Sequence, residues 1–176
     1  MEESVYIEKL EVEPLEIMED TSEADKVNYL FKLIVNNQIE DVNAKLDLKS
    51  YKKDFKDAGF DPARLVEAIK YLEDEQNKKM EQAEIVEEYM GVYDNKQCEA
   101  KFENLNVPIE NSLTQIEEIK DGTKNIKDAA GQAGVDYKAI LKLAKDYVDQ
   151  INPNKKTKAP DIVLEGIIEE YKEIIQ

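Results

Sequence analysis

The sequence predicts an all-α protein, and three observations predict it. Only 6 Gly and 5 Pro occur in 176 residues, too few turn-formers for many short strands. Apolar residues recur at helical spacings over long uninterrupted stretches. The tetrad Ala58-Gly59-Phe60-Asp61 returns as Ala133-Gly134-Val135-Asp136, a helix stop followed by a helix start.

Within an arm over residues 1–24, residues 1–20 alternate loosely between apolar positions (Val5, Ile7, Leu10, Val12, Leu15, Ile17) and acidic ones. They read as an acidic arm, extended or a short strand, that folding does not require. Ser22 lies three residues before Asp25, a capping-box spacing. Leu30, Leu33, Ile34, Ile39, Val42, Leu46, Tyr51 and Phe55 follow, and no Gly or Pro interrupts residues 22–58. This stretch predicts one long amphipathic, coiled-coil-like helix. Gly59 suits the position just past a helix end, Asp61 an N-cap and Pro62 the first helical residue. A second helix runs through Leu65, Val66, Ile69 and Leu72, and a third carries Ile85, Val86, Tyr89 and Met90. These complete a module over residues 25–95, with a linker over 96–110.

Residues 111–176 repeat the plan. Leu113, Ile116, Ile119 and Ile126 mark a long helix, and Ile140, Leu141 and Leu143 a shorter one. A loop spans Asn152 to Pro160, before a last helix with Ile162, Val163, Ile167, Ile168, Tyr171 and Ile174. The two tetrads lie 75 residues apart, and Glu87-Glu88-Tyr89 matches Glu169-Glu170-Tyr171 at 82. The pattern reads as a tandem duplication of one module, a long helix followed by two shorter ones.

Composition removes whole chemistries. With no His, a His general base, a Ser-His-Asp triad and a His-ligated metal are excluded. The single Cys98 cannot close an intramolecular disulfide or build a Cys-rich zinc site, and reads as a structural or exposed thiol. No run approaches the length of a membrane span and no secretory h-region is present, which predicts a cytoplasmic protein with no membrane partner. Asp41, Asn43, Lys45 and Asp47 lack the glycine of a calcium loop and put a lysine at a ligand position. Gly131 with Gly134, and Asp121 to Lys124, lack phosphate-loop spacing. No carboxylate pair stands out for acid–base work. Neither enzymatic activity nor a cofactor is expected.

The charges are segregated. Acids outnumber bases 40 to 24, for a net charge of -16. Yet residues 49–70 carry 6 bases against 4 acids, and residues 120–158 carry 9 against 5, while residues 1–48 carry 4 against 13. Four lysines recur at the 75-residue offset: Lys45 with Lys120, Lys49 with Lys124, Lys52 with Lys127, and Lys70 with Lys145. Lys45, Lys49 and Lys52 share one helix face, which Lys53 and Lys56 extend. Lys138, Lys142 and Lys145 repeat that spacing. Such a row can track phosphates, or it can be a solvated face opposite the apolar stripe. Tyr51, Phe55, Phe60 and Tyr71 fit core positions better than base-stacking platforms.

The run Ala58-Gly59-Phe60-Asp61-Pro62-Ala63-Arg64-Leu65-Val66-Glu67-Ala68-Ile69, with Glu87-Glu88-Tyr89 after it, resembles the GapR-like nucleoid-associated family. It is also similar to the small double-stranded-DNA-binding proteins of T-even-type phages. The resemblance covers residues 36–94 and, more weakly, 111–175. It implies an all-helical protein that self-associates through its long helices and grips duplex DNA without strong sequence readout. It implies phosphate contacts from Lys45, Lys49, Lys52, Lys53, Lys56 and Arg64 in the first copy, and from Lys120, Lys124, Lys127 and Lys138 in the second. Lys70, Lys142 and Lys145 join the set through their spacing. Two modules in one chain and the acidic arm depart from the family plan, and Arg64 is replaced by Ala139 in the second copy. The expected function is a non-enzymatic double-stranded-DNA-binding protein of a nucleoid or an infected-cell cytoplasm. The alternative is an acidic protein-binding module, a DNA mimic that occupies a DNA-binding host protein.

Overall fold

A computed structural model describes residues 5–76, 81–93, 99–155 and 161–176. Among the described residues the regular elements are all helical. They are α1 (Glu23–Asp57), α2 (Pro62–Gln76), α3 (Gln82–Tyr93), α4 (Glu99–Gln132), α5 (Tyr137–Ile151) and α6 (Ile167–Ile175), with one 3-10 turn at Leu164–Gly166. No helix among the described residues is long and apolar enough to cross a membrane.

Local chemistry sets most of the boundaries. The Ser22 hydroxyl accepts the Asp25 N–H at 3.1 Å and so caps α1. At the other end Gly59 takes φ 96. Its N–H donates to the Lys56 carbonyl and the Phe60 N–H donates to the Phe55 carbonyl, the paired bonds of a Schellman stop. Phe60 then stacks on Phe55 with centroids 4.9 Å apart, the apolar contact that accompanies this stop. α4 ends the same way. Gly134 has φ 71, and Gly134 and Val135 donate to Gly131 and Ala130. Asp61 and Asp136 open the next helices, accepting the N–H groups of Ala63 and Ala139.

Two boundaries differ from the sequence expectation. The linker expected over 96–110 is helical from Glu99 onward, through Pro108; Cys98 lies outside the described residues. An internal proline removes one helical hydrogen bond. Around it, however, Leu105, Ile109 and Leu113 form a periodic face packed into a core, with Ile109 fully buried, and that burial outweighs the local break. The last helix starts later than expected. Ile162 and Val163 precede it, and Ile162 is held by the Gln150 side chain, which accepts its N–H at 2.7 Å and donates to its carbonyl at 3.3 Å.

The chain divides into two compact units, Met1–Asn43 with Ile116–Gln176, and Ala44–Gln115. Each therefore draws on both halves of the sequence. The reason is length. The long helices have 35 and 34 residues, or about 50 Å at 1.5 Å per residue, whereas α2 and α5 reach only about 22 Å. A short helix pair covers only part of either long helix.

In the first unit Val27, Leu30, Phe31, Ile34, Val35 and Ile39 of α1 form a core with Ala130 and Val135 and with residues of α5 and α6. Phe31 meets Tyr147 edge-on at 5.8 Å. Asn37 donates to the Ile119 carbonyl and accepts from the Thr123 hydroxyl at 2.7 Å. A Cβ on Gly122 would sit 3.3 Å from the Asn37 amide, so this glycine permits the close approach. The Asp121 to Lys124 run is thus plain helix, not a phosphate loop. In the second unit Phe55, Phe60, Leu65, Ile69, Leu72, Ile85, Val86, Tyr89 and Ile109 form the core. Tyr71, expected there, is 56% exposed because it lies off the Leu65–Ile69–Leu72 seam.

The arm expected to be dispensable belongs to the first unit. It is extended, and Ile7 is 7% exposed within that unit's core. Leu10 and Ile17 pack against the same core.

Candidate nucleic-acid interface

The second unit holds the first lysine row. Ala44, Leu48, Tyr51 and Phe55 form the inward seam of this part of α1. Lys45, Lys49, Lys53 and Lys56 lie off that seam and are exposed, and Lys52 is half-buried at its edge. Arg64 and Lys70 are exposed on α2. Arg64 sits 3.6 Å from the Asp61 carboxylate, one turn back on an open surface, where such a pair adds little stability.

The first unit holds the second row. On α4, Lys120, Lys124 and Lys127 are exposed while Ile116, Ile119 and Ala130 are buried. On α5, Ala139, Ile140, Leu143, Ala144, Tyr147 and Val148 face inward, which turns Lys138, Lys142 and Lys145 to solvent. These three lysines, with Leu141 and Asp146, line a shallow depression of ≈ 310 Å³. The Lys120 ammonium bonds the Glu117 carboxylate at 2.8 Å. That hydrogen bond and the charge behind it hold its pKa above the ordinary lysine value. Every predicted cation thus reaches solvent, seven on one unit and six on the other. Both units remain acidic in sum: the first carries 13 bases against 24 acids and the second 11 against 16.

Other features resolve as structure. Asp41 to Asp47 is plain helix within α1, and the described residues contain no cluster of three acidic or thiol groups placed to hold a metal ion. Glu87 and Glu169 of the Glu-Glu-Tyr repeats are exposed.

Sequence reasoning found the tyrosines of the Glu-Glu-Tyr repeats without their role. The Asp61 N–H donates to the Tyr89 hydroxyl at 3.0 Å, and the Asp136 N–H donates to the Tyr171 hydroxyl at 2.9 Å. In each unit a following helix, α3 or α6, thereby ties down the start of α2 or α5. Sequence reasoning missed the asparagines that hold the arm. The Asn36 amide pairs with the Leu10 N–H and C=O, Asn43 with those of Ile7, and Asn154 with those of Val5. The available signal was two asparagines seven residues apart on a helix otherwise rich in aliphatics. No family model, curated protein or solved structure matches the chain.

Proposed function

We propose that this protein binds double-stranded DNA without strong sequence preference, as a non-enzymatic nucleoid or phage-type protein built from two copies of one helical module. The observation that carries the reading is the recurrence of exposed lysine rows. Lys45, Lys49, Lys52 and Lys70 in one unit have their counterparts in Lys120, Lys124, Lys127 and Lys145 of the other. The twin glycine stops and the twin tyrosine-to-aspartate bonds support descent from one module. Lysines at helical spacing on an otherwise acidic protein concentrate phosphate contacts on two patches, and the surrounding acids limit contact elsewhere. The resemblance to GapR-like proteins points the same way.

A second reading, an acidic module that occupies a DNA-binding protein, is favoured by the first unit's excess of acids. There Glu8, Glu11, Glu13 and Glu16 stand exposed on a pinned extended segment, two or three residues and so about 7–10 Å apart.

Anisotropy titration of a labelled duplex at two salt concentrations tests the first reading. Lys49→Glu with Lys124→Glu should weaken binding and flatten the slope of log K against log salt, by about 0.9 for each lost phosphate contact. Both side chains are exposed, so the fold should survive. Absence of duplex binding by the wild type at about 50 mM salt and micromolar protein rules the reading out. A pull-down retaining a DNA-binding protein, abolished by reversal of Glu8 and Glu11, would then establish the second.

A further inference from the structure

We propose that the face of α1 between Asn36 and Asn43, continued by Asn154, is a binding groove for an extended segment of a partner protein. Residues 5–10 fill it within the chain as a stand-in ligand. The inference is independent of the lysine rows and of duplex binding.

The contacts are those of a peptide site. Six hydrogen bonds go to the main chain of the segment. The N–H groups of Val5, Ile7 and Leu10 donate to Asn154, Asn43 and Asn36 at 3.2, 3.0 and 2.7 Å. The amide nitrogens of the same asparagines donate back to the carbonyls of those residues at 2.9, 3.0 and 2.9 Å. Each asparagine thus presents the donor–acceptor pair that a neighbouring strand would present. The register is geometrically matched. Asn36 and Asn43 are seven helical residues apart, about 10.5 Å along α1, and Ile7 and Leu10 are three extended residues apart, about 10 Å. Main-chain recognition of this kind does not depend on which chain supplies the segment.

Side chains contribute as well. Ile7 is buried, Leu10 is half-buried, and the Lys9 ammonium pairs with the Glu40 carboxylate. The arm's glutamates fit poorly. Glu8, Glu11, Glu13 and Glu16 are exposed and form no ion pair among the described residues, on a unit with 11 more acids than bases. Beyond Leu10 a cavity of ≈ 470 Å³ stays open between residues 11–15 and Asp25, Asn28, Tyr29 and Lys32. Charge complementarity therefore selects the occupant: an extended segment with aliphatic side chains in the Ile7 and Leu10 places, a cation in the Lys9 place, and neutral or basic residues where the arm has glutamates.

Fluorescence anisotropy with the full chain tests this. The probe is a labelled peptide of residues 5–17 carrying Glu8→Lys, Glu11→Lys, Glu13→Lys and Glu16→Lys. It should bind saturably and more weakly at high salt, and Asn36→Ala with Asn43→Ala in the protein should weaken it about tenfold or more. The same probe with Ile7→Asp should not bind. Ile7→Asp in the protein, which releases the internal competitor, should tighten binding of the probe. Hydrogen exchange on the wild type provides a readout that needs no protein variant: saturating probe should speed exchange at the Ile7 and Leu10 amides. No saturable binding, or unchanged protection of those amides under saturating probe, overturns the proposal. Equal affinity for a peptide of the natural sequence overturns the basic-partner assignment and gives the groove to the arm of a second copy.

Discussion

Tyr171→Phe isolates one hydrogen bond whose worth follows from the structure. The ring is 3% exposed and stays in place in the variant. Only the hydroxyl is lost, and with it the acceptor for the Asp136 N–H at 2.9 Å. That N–H stands at the opening of α5, beside the buried Val135. A buried donor left without its acceptor costs about 1–3 kcal/mol. The bond is part-buried, so water recovers some of the loss and the low end applies, about 1 kcal/mol. For a chain of this size that is a fall of about 2–4 °C in Tm. Tyr89→Phe removes the corresponding bond in the other unit and should cost about as much. The two share no partner, so the double variant should be additive within about 0.5 kcal/mol. Tyr137→Phe is the control. It sits half-buried in the first unit without a hydroxyl bond of this kind, and should stay within about 0.5 kcal/mol of wild type. Thermal melts followed by circular dichroism provide the measurement. If Tyr171→Phe melts together with Tyr137→Phe, the bond carries no stability, and the tyrosine contributes through packing alone.

Two further outcomes follow from the first unit. Ile7→Ala should destabilise it by about 2 kcal/mol or more, the loss expected for truncating a buried isoleucine, and a free appendage would show no change in a urea melt. The alkaline limb should be steep. Burial pushes the Tyr137 and Tyr147 phenols above the ordinary value of 10.0, so the folded state holds their protons more tightly than the unfolded chain. Their contribution is complete below that value and is lost as pH rises through the folded pKa. Tyr147→Phe should flatten the fall of stability above about pH 10, and an unchanged limb would show that the ring ionises freely.

Sequence alone determined the helical character and the punctuation, because both rest on interactions between near neighbours. Gly59 and Gly134 stop helices for want of a Cβ, and Ser22, Asp61 and Asp136 start them by accepting N–H groups two or three residues ahead. Helical spacing likewise put every predicted lysine off the apolar seam, since a side chain's angle around a helix follows from its number. Only the tertiary structure decided what spans long separations. Pro108 stays helical because Ile109 is buried by residues distant in sequence. The acidic arm, which looked polar enough to hang free, is held because Asn36, Asn43 and Asn154 lie 26, 36 and 149 residues from the peptide groups they bind. An amide side chain on a helix shows no periodicity toward such a partner. The division into units was hidden for the same reason: a helix of 35 residues exceeds the reach of its sequence neighbours, and what covers its remainder is settled by packing across the whole chain.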